Sequence, residues 1–107
     1  MDTYIKSMRL CYAIARKYNP YSEVFVSLTH YWAWTSHPRF YPSKDLMEIL
    51  LQNTKAEGDF QWAMAQHPYP QSLMEPKTWL DQQVDFTFNT PLITFKNLEV
   101  LNAWIKL

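Results

Sequence analysis

Gln61-Trp62-Ala63-Met64-Ala65-Gln66-His67-Pro68-Tyr69-Pro70 joins an apolar run of strand length to an aromatic loop with two prolines. Pro68 and Pro70 lack the N–H that a β-ladder requires, so a strand here stops near His67. The residue before a proline is held in extended geometry, which keeps His67 at the strand end and out of a helix. The prediction is a histidine and a tyrosine fixed at the carboxyl end of a buried strand. Alternating α/β proteins bind their ligands at that edge.

On the amino-terminal side, Gly58 suits the left-handed residue that ends a helix over residues 44–57. Ser43 is its candidate cap, and Leu46, Ile49, Leu50 and Asn53 share one side. Upstream, Glu23-Val24-Phe25-Val26-Ser27-Leu28-Thr29-His30 is β-branched and aromatic with apolar residues on both faces. That is the pattern of a strand covered on two sides, as in a parallel sheet. The loop from Tyr31 to Pro42 then carries five aromatic rings, more than a surface loop needs. Half of them are expected to roof the core and the others to offer ligand platforms. Residues 3–18 read as an amphipathic helix with Tyr4, Met8, Cys11, Ala15 and Tyr18 inward, begun by Asp2 or Thr3 and ended by Asn19-Pro20.

Beyond the double-proline loop, Pro76-Lys77-Thr78-Trp79-Leu80 predicts a short helix and Pro91-Leu92-Ile93-Thr94-Phe95 a third strand. Asn97 is placed to cap a last helix with Leu98, Leu101 and Ile105 in phase. The order is α-β-α-β-α-β-α, and strands separated by helices run parallel through right-handed crossovers. The predicted class is α/β: about three parallel strands of a partial (β/α) barrel, with a fragment of an open doubly wound sheet as the alternative. Three parallel strands leave two hydrophobic edges, so residues 1–107 are expected to be one segment of a larger barrel whose remainder is a partner.

A chain of 107 residues holds one domain at most. Ten basic residues balance ten acidic ones, which argues against a nucleic-acid partner or a polybasic membrane patch. No apolar run approaches a bilayer span, and the first residues show no signal-peptide pattern. Cys11 is the only cysteine and reads as a small core thiol, which excludes an internal disulfide. The single glycine cannot build a phosphate-cradling loop, and no cofactor motif is present.

The helix into Asn19-Pro20, Val24 to His30, Glu57-Gly58-Asp59-Phe60, His67-Pro68-Tyr69-Pro70 and Pro91 to Asn97 together resemble an uncharacterised bacterial family, a domain of unknown function. That family is similar to glycoside hydrolases built on the (β/α)8 barrel, and the likeness spans nearly the whole chain. It implies a carbohydrate partner and, by analogy with exported polysaccharide enzymes, export; the residues themselves leave the cellular address open. In retaining barrel glycosidases a glutamate follows one middle strand and another a later strand. No strand here ends in a glutamate, so the catalytic residues are unknown and whether the chain is an enzyme is uncertain.

Glycoside hydrolysis requires two carboxyl groups flanking the bond. Glu75 and Asp81 flank the loop after the second strand, and both read first as charges favoured at helix starts. His30, His37 and His67 lack the close spacing of a zinc site, so no metal is expected. The binding residues expected are His30 and His67 for sugar hydroxyls, Trp32, Trp34 and Tyr69 for stacking, and Lys96 for an anionic substituent. Against these stand plain alternatives: histidines bonded to loop carbonyls, rings that merely pack, and a solvated lysine. Trp62, Trp79 and Trp104 are expected in the core or at helix contacts. Two other functions stay open, a non-catalytic carbohydrate-binding barrel and a small α/β module that dimerises through its sheet edges.

Overall fold

The computed structural model describes residues 2–107, the side chain of Asp2 excepted. Its elements are α1 (Asp2–Tyr18), β1 (Val24–Leu28), α2 (Ser43–Glu57), β2 (Trp62–Gln66), a single 3-10 turn (Thr78–Leu80) and α3 (Leu98–Ile105). β1 and β2 pair in a two-stranded parallel sheet, so the chain is mixed α/β with α2 as the crossover. Gly58, at φ +97, ends α2 in the left-handed region, as its position after Glu57 predicts. The chain divides into two compact units, one running up to Ser27 and including Leu46–Ala65, the other comprising Leu28–Asp45 and Gln66–Leu107.

The core of the first unit is Ile5, Val26, Met47, Leu50 and Phe60. α1 turns Ile5, Met8, Tyr12 and Ala15 inward, whereas Tyr4, Cys11 and Tyr18 are exposed. Met8 and Ala15 keep their places while Ile5 and Tyr12 replace Tyr4 and Cys11, a rotation of the stripe by ~60° around the axis, and Cys11 is a surface thiol. Arg9 and Arg16 cause the rotation, because both are half-buried. The Arg9 guanidinium lies 5.0 Å from the Phe60 ring centre and donates to Asn53 Oδ1 at 2.6 Å. Arg16 lies over Tyr12 at 5.3 Å and donates to Gln61 Oε1 and the Pro20 carbonyl. Long cationic side chains with aromatic partners cover apolar surface as aliphatic ones do. Asp2 cannot be assessed as the cap because its side chain is outside the described residues, and Thr3 lies within the helix.

β1 is shorter than expected and buries one face only: Val26 is inside, whereas Phe25 is 50% exposed. On α2 the apolar side is as predicted, with Met47 added. Ser43 is the first helical residue and not the cap; its hydroxyl donates back to the Thr29 carbonyl at 3.4 Å. The first free N–H groups of α2 are instead taken by loop carbonyls, Ser43 N by Tyr31 O at 3.2 Å and Lys44 N by Trp32 O at 3.1 Å.

The second unit is centred on Trp32, Leu92, Ile93, Val100 and Leu101. Here the third parallel strand is replaced, among the described residues, by one antiparallel bridge between Tyr31 and Leu92. Trp32 N donates to Pro91 O at 2.9 Å and Ile93 N to His30 O at 2.8 Å. The physical reason is local competition for ladder groups. Pro91 has no N–H to give; the Leu92 carbonyl accepts from Thr90 Oγ1 at 2.9 Å and Asn97 Nδ2 at 3.0 Å; Thr94 N donates to Asn97 Oδ1 at 2.9 Å. Asn97 occupies the N-cap position of α3, yet its side chain makes no cap bond. It is fully buried and ties the preceding loop together, donating also to the Asp85 carbonyl at 2.9 Å.

α3 turns Val100, Leu101 and Trp104 inward, and Leu98 and Ile105 outward. The short helix near Pro76 is reduced to the 3-10 turn, and Trp79 on it is exposed, against the expectation that it packs in the core.

Candidate functional site

His30 leaves the sheet two residues after β1 ends, its carbonyl held by Ile93 N–H. Its imidazole stacks on Tyr31 at 4.5 Å between ring centres and meets the edge of Tyr69 at 5.9 Å. Tyr31 in turn contacts Trp34 at 5.8 Å, and Tyr69 stacks on His67 at 5.9 Å. A continuous run of five rings, Trp34-Tyr31-His30-Tyr69-His67, therefore links the loop after β1 to the loop after β2. Tyr69 is aimed by its backbone: Tyr69 N donates to His67 O at 2.8 Å, a γ-turn about Pro68 that suits proline's fixed φ.

At the carboxyl end of β2, Gln66, His67, Pro68, Tyr69, Pro70 and Phe95 line a pocket of about 200 Å³. Tyr69 and Phe95 are 52% and 67% exposed, so both rings remain accessible from solvent. Gln66 is anchored by its amide nitrogen, which donates to Thr29 O at 3.3 Å and Ile93 O at 3.5 Å. At the opposite strand ends, Glu23, Val24, Gln61, Trp62 and Ala63 surround a depression of about 80 Å³.

Two charged residues of the second unit, Lys96 and Asp81, meet each other. Lys96 Nζ donates to the Asp81 carbonyl at 2.6 Å, and Lys96 N to Thr94 Oγ1 at 3.1 Å. Asp81 is only 4% exposed, and its Oδ1 accepts from Gln71 N at 3.0 Å. Gln71 Oε1 accepts from Gln82 N and Gln83 N, which closes the 71–83 loop on itself. Burial pushes the His30 pKa below its ordinary value of 6.5; the nearby Asp81 carboxylate acts in the opposite direction and only partly offsets this.

Of the six binding residues read from the sequence, His30, Trp34, His67 and Tyr69 are joined in the ring run. Lys96 is nearby with its ammonium engaged. Trp32 is placed elsewhere: at 0% exposure it packs edge-on against Trp104 at 5.0 Å and donates from Nε1 to Phe88 O at 3.0 Å. Its face is core surface, unavailable to a ligand. Three contributors were missed. Tyr31 could have been found as the neighbour of His30 in an aromatic-rich loop, and Phe95 as the residue facing the double-proline loop across the pocket.

Asp81 was read as a charge at a helix start. It stands instead just after the 3-10 turn, with its N–H bonded to Thr78 O. Nothing in its local sequence signals burial. Among the described residues, no group of three or more His, Cys, Asp or Glu is placed to hold a metal ion. No helix is long and apolar enough to cross a membrane.

Residues 1–107 match the model of a family described as a family of unknown function (DUF5722). Neither the comparison with curated proteins nor that with solved structures finds a match.

Proposed function

The chain belongs to this family of unknown function over residues 1–107, and we propose from its strand-end geometry that it supplies substrate-cleft loops of a glycoside-hydrolase-like (β/α) barrel. The observation that carries the reading is one pocket lined by the exposed side chains of Tyr69 and Phe95 together with His67. A pyranose needs this pairing, because its apolar face packs on aromatic planes while its hydroxyls seek donors and acceptors at the rim. The pocket is smaller than the roughly 300–1,000 Å³ of drug-sized sites, which suits a single ring of a longer chain. The β1–α2–β2 unit is the repeat from which such barrels are assembled.

The chain's part in this reading is binding. Hydrolysis takes two carboxyl groups about 5 to 9.5 Å apart across the bond, and Asp81 is the one buried carboxylate among the described residues. That favours, as the second reading, a barrel that holds carbohydrate without cleaving it. In either case the 107-residue chain is expected to show no hydrolytic activity of its own.

The test is an NMR titration of the chain with neutral gluco-, galacto- and manno-oligosaccharides. Resonances of His67, Tyr69 and Phe95 are expected to shift with one of these series. Tyr69→Ala, at an exposed position, is expected to weaken that binding about tenfold, the equivalent of one stacking contact. No perturbation by any saccharide at millimolar concentration, or equal affinity in the variant, would sink the proposal.

A further inference from the structure

Three buried side-chain atoms beside the ring run have no hydrogen-bond partner among the described residues: His30 Nδ1, Asp81 Oδ2 and Gln66 Oε1. Buried polar atoms in folded proteins are nearly always satisfied, so each orphan calls for a partner. Their chemistry is complementary. Two are acceptors, and the third is an imidazole nitrogen that can carry a proton. Several independent contacts bring the segments that carry them next to one another. Gln66 Nε2 donates to the carbonyl of Thr29, the residue before His30. Tyr69 meets the His30 ring, and two residues later Gln71 N donates to Asp81 Oδ1. Lys96 holds the Asp81 backbone while Ile93, three residues earlier, holds that of His30.

We infer that Asp81 is the positioning residue of His30, the carboxylate fixing the imidazole through one buried water that accepts from Nδ1–H and donates to Asp81 Oδ2 and Gln66 Oε1. A water with about three protein partners is the ordinary occupant of a buried polar site. The arrangement sets the tautomer: the proton stays on the buried Nδ1, and Nε2 is left as a hydrogen-bond acceptor. His30 Nε2 then accepts a hydrogen bond from a hydroxyl of a ligand on the ring run, and the imidazole stays neutral. That last step, the identity of the group meeting Nε2, rests on the carbohydrate reading; the tautomer does not. The charge that Asp81 places near His30 agrees with this proximity.

The titratable groups around the imidazole are Tyr31, Tyr69 and Asp81, with His67 beyond Tyr69 and Lys96 on the Asp81 carbonyl. The experiment is long-range ¹H–¹⁵N NMR of the His30 imidazole in the ligand-free chain. Nδ1 is expected to be protonated, with a deshielded proton slow to exchange. In Asp81→Asn the Nδ1–H population is expected to fall in favour of Nε2–H, and the titration midpoint of His30 to move down. An Nε2–H tautomer in the unsubstituted chain overturns the inference, as does an Asp81→Asn spectrum with the tautomer unchanged. Should Asp81→Asn not fold, the unsubstituted chain decides alone: an Nε2–H tautomer, or an Nδ1 proton that exchanges as fast as one open to solvent, overturns the assignment. Because no saccharide is present, failure here leaves the oligosaccharide titration untouched, and the reverse holds equally.

Discussion

At the scale of single residues, His30 carries the clearest pH signature. Its folded pKa is held below 6.5, chiefly by burial. The unfolded chain therefore binds more protons than the folded one between that lowered value and 6.5. Stability is fully present above 6.5 and is lost as pH falls through the folded pKa. Urea midpoints measured against pH are expected to decline across that window, and to decline less in His30→Gln. A midpoint that rises on acidification, or an identical slope in the variant, would contradict this. The same scale shows what local pattern could and could not reveal. Proline chemistry placed His67 and Tyr69 at a strand end, because φ and a missing N–H are properties of the residue itself. Whether an indole faces a ligand or the core depends on what lies across from it, and Trp32 faces Trp104, 72 positions away in sequence.

At the scale of elements, the terminators Pro20, Gly58 and Pro68 were legible, whereas the buried faces of α1 and α3 were not. Gly58 ends α2 in the left-handed region with nothing within 4 Å of where a Cβ would stand, so Gly58→Ala isolates backbone strain from steric clash. We expect it to cost about 1–2 kcal/mol, seen as a lower urea midpoint with an unchanged slope. An unchanged midpoint would mean the chain reaches β2 without the left-handed turn. Helix faces were misread twice for one reason. Periodicity counts apolar letters, but Arg9 and Arg16 on α1 bury their stems against rings, and on α3 the buried phase is set by Asn97, Val100 and Trp104. The third strand failed for a related reason: Thr90 and Asn97 spend the donors and acceptors that a ladder would have used.

At the scale of the whole molecule, the sheet has two strands, and β1 leaves Phe25 on an exposed face. Two strands alone are marginal in water, and uncovered edges invite pairing. The net charge is zero and the sequence pI about 6.8, so little repulsion opposes association near neutrality. If the strands are meant to continue into a larger barrel, sedimentation of the chain at neutral pH is expected to show open-ended, concentration-dependent association. A discrete dimer would count against the barrel and favour the α/β module that buries its sheet edge between two copies.

The sequence by itself determined the ends of α1 at Asn19-Pro20, of α2 at Gly58 and of β2 before His67, the α/β class, and the gathering of imidazoles and rings at strand ends. These follow from backbone geometry, turn chemistry and short-range periodicity, all of which are encoded within a few residues. Tertiary structure alone decided that Leu92 makes a single antiparallel bridge to Tyr31, that Trp32 belongs to the core, and that Asp81 is buried near His30. Each of those depends on contacts between segments tens of residues apart, where one side chain's burial or hydrogen bond removes the option another segment would otherwise have taken.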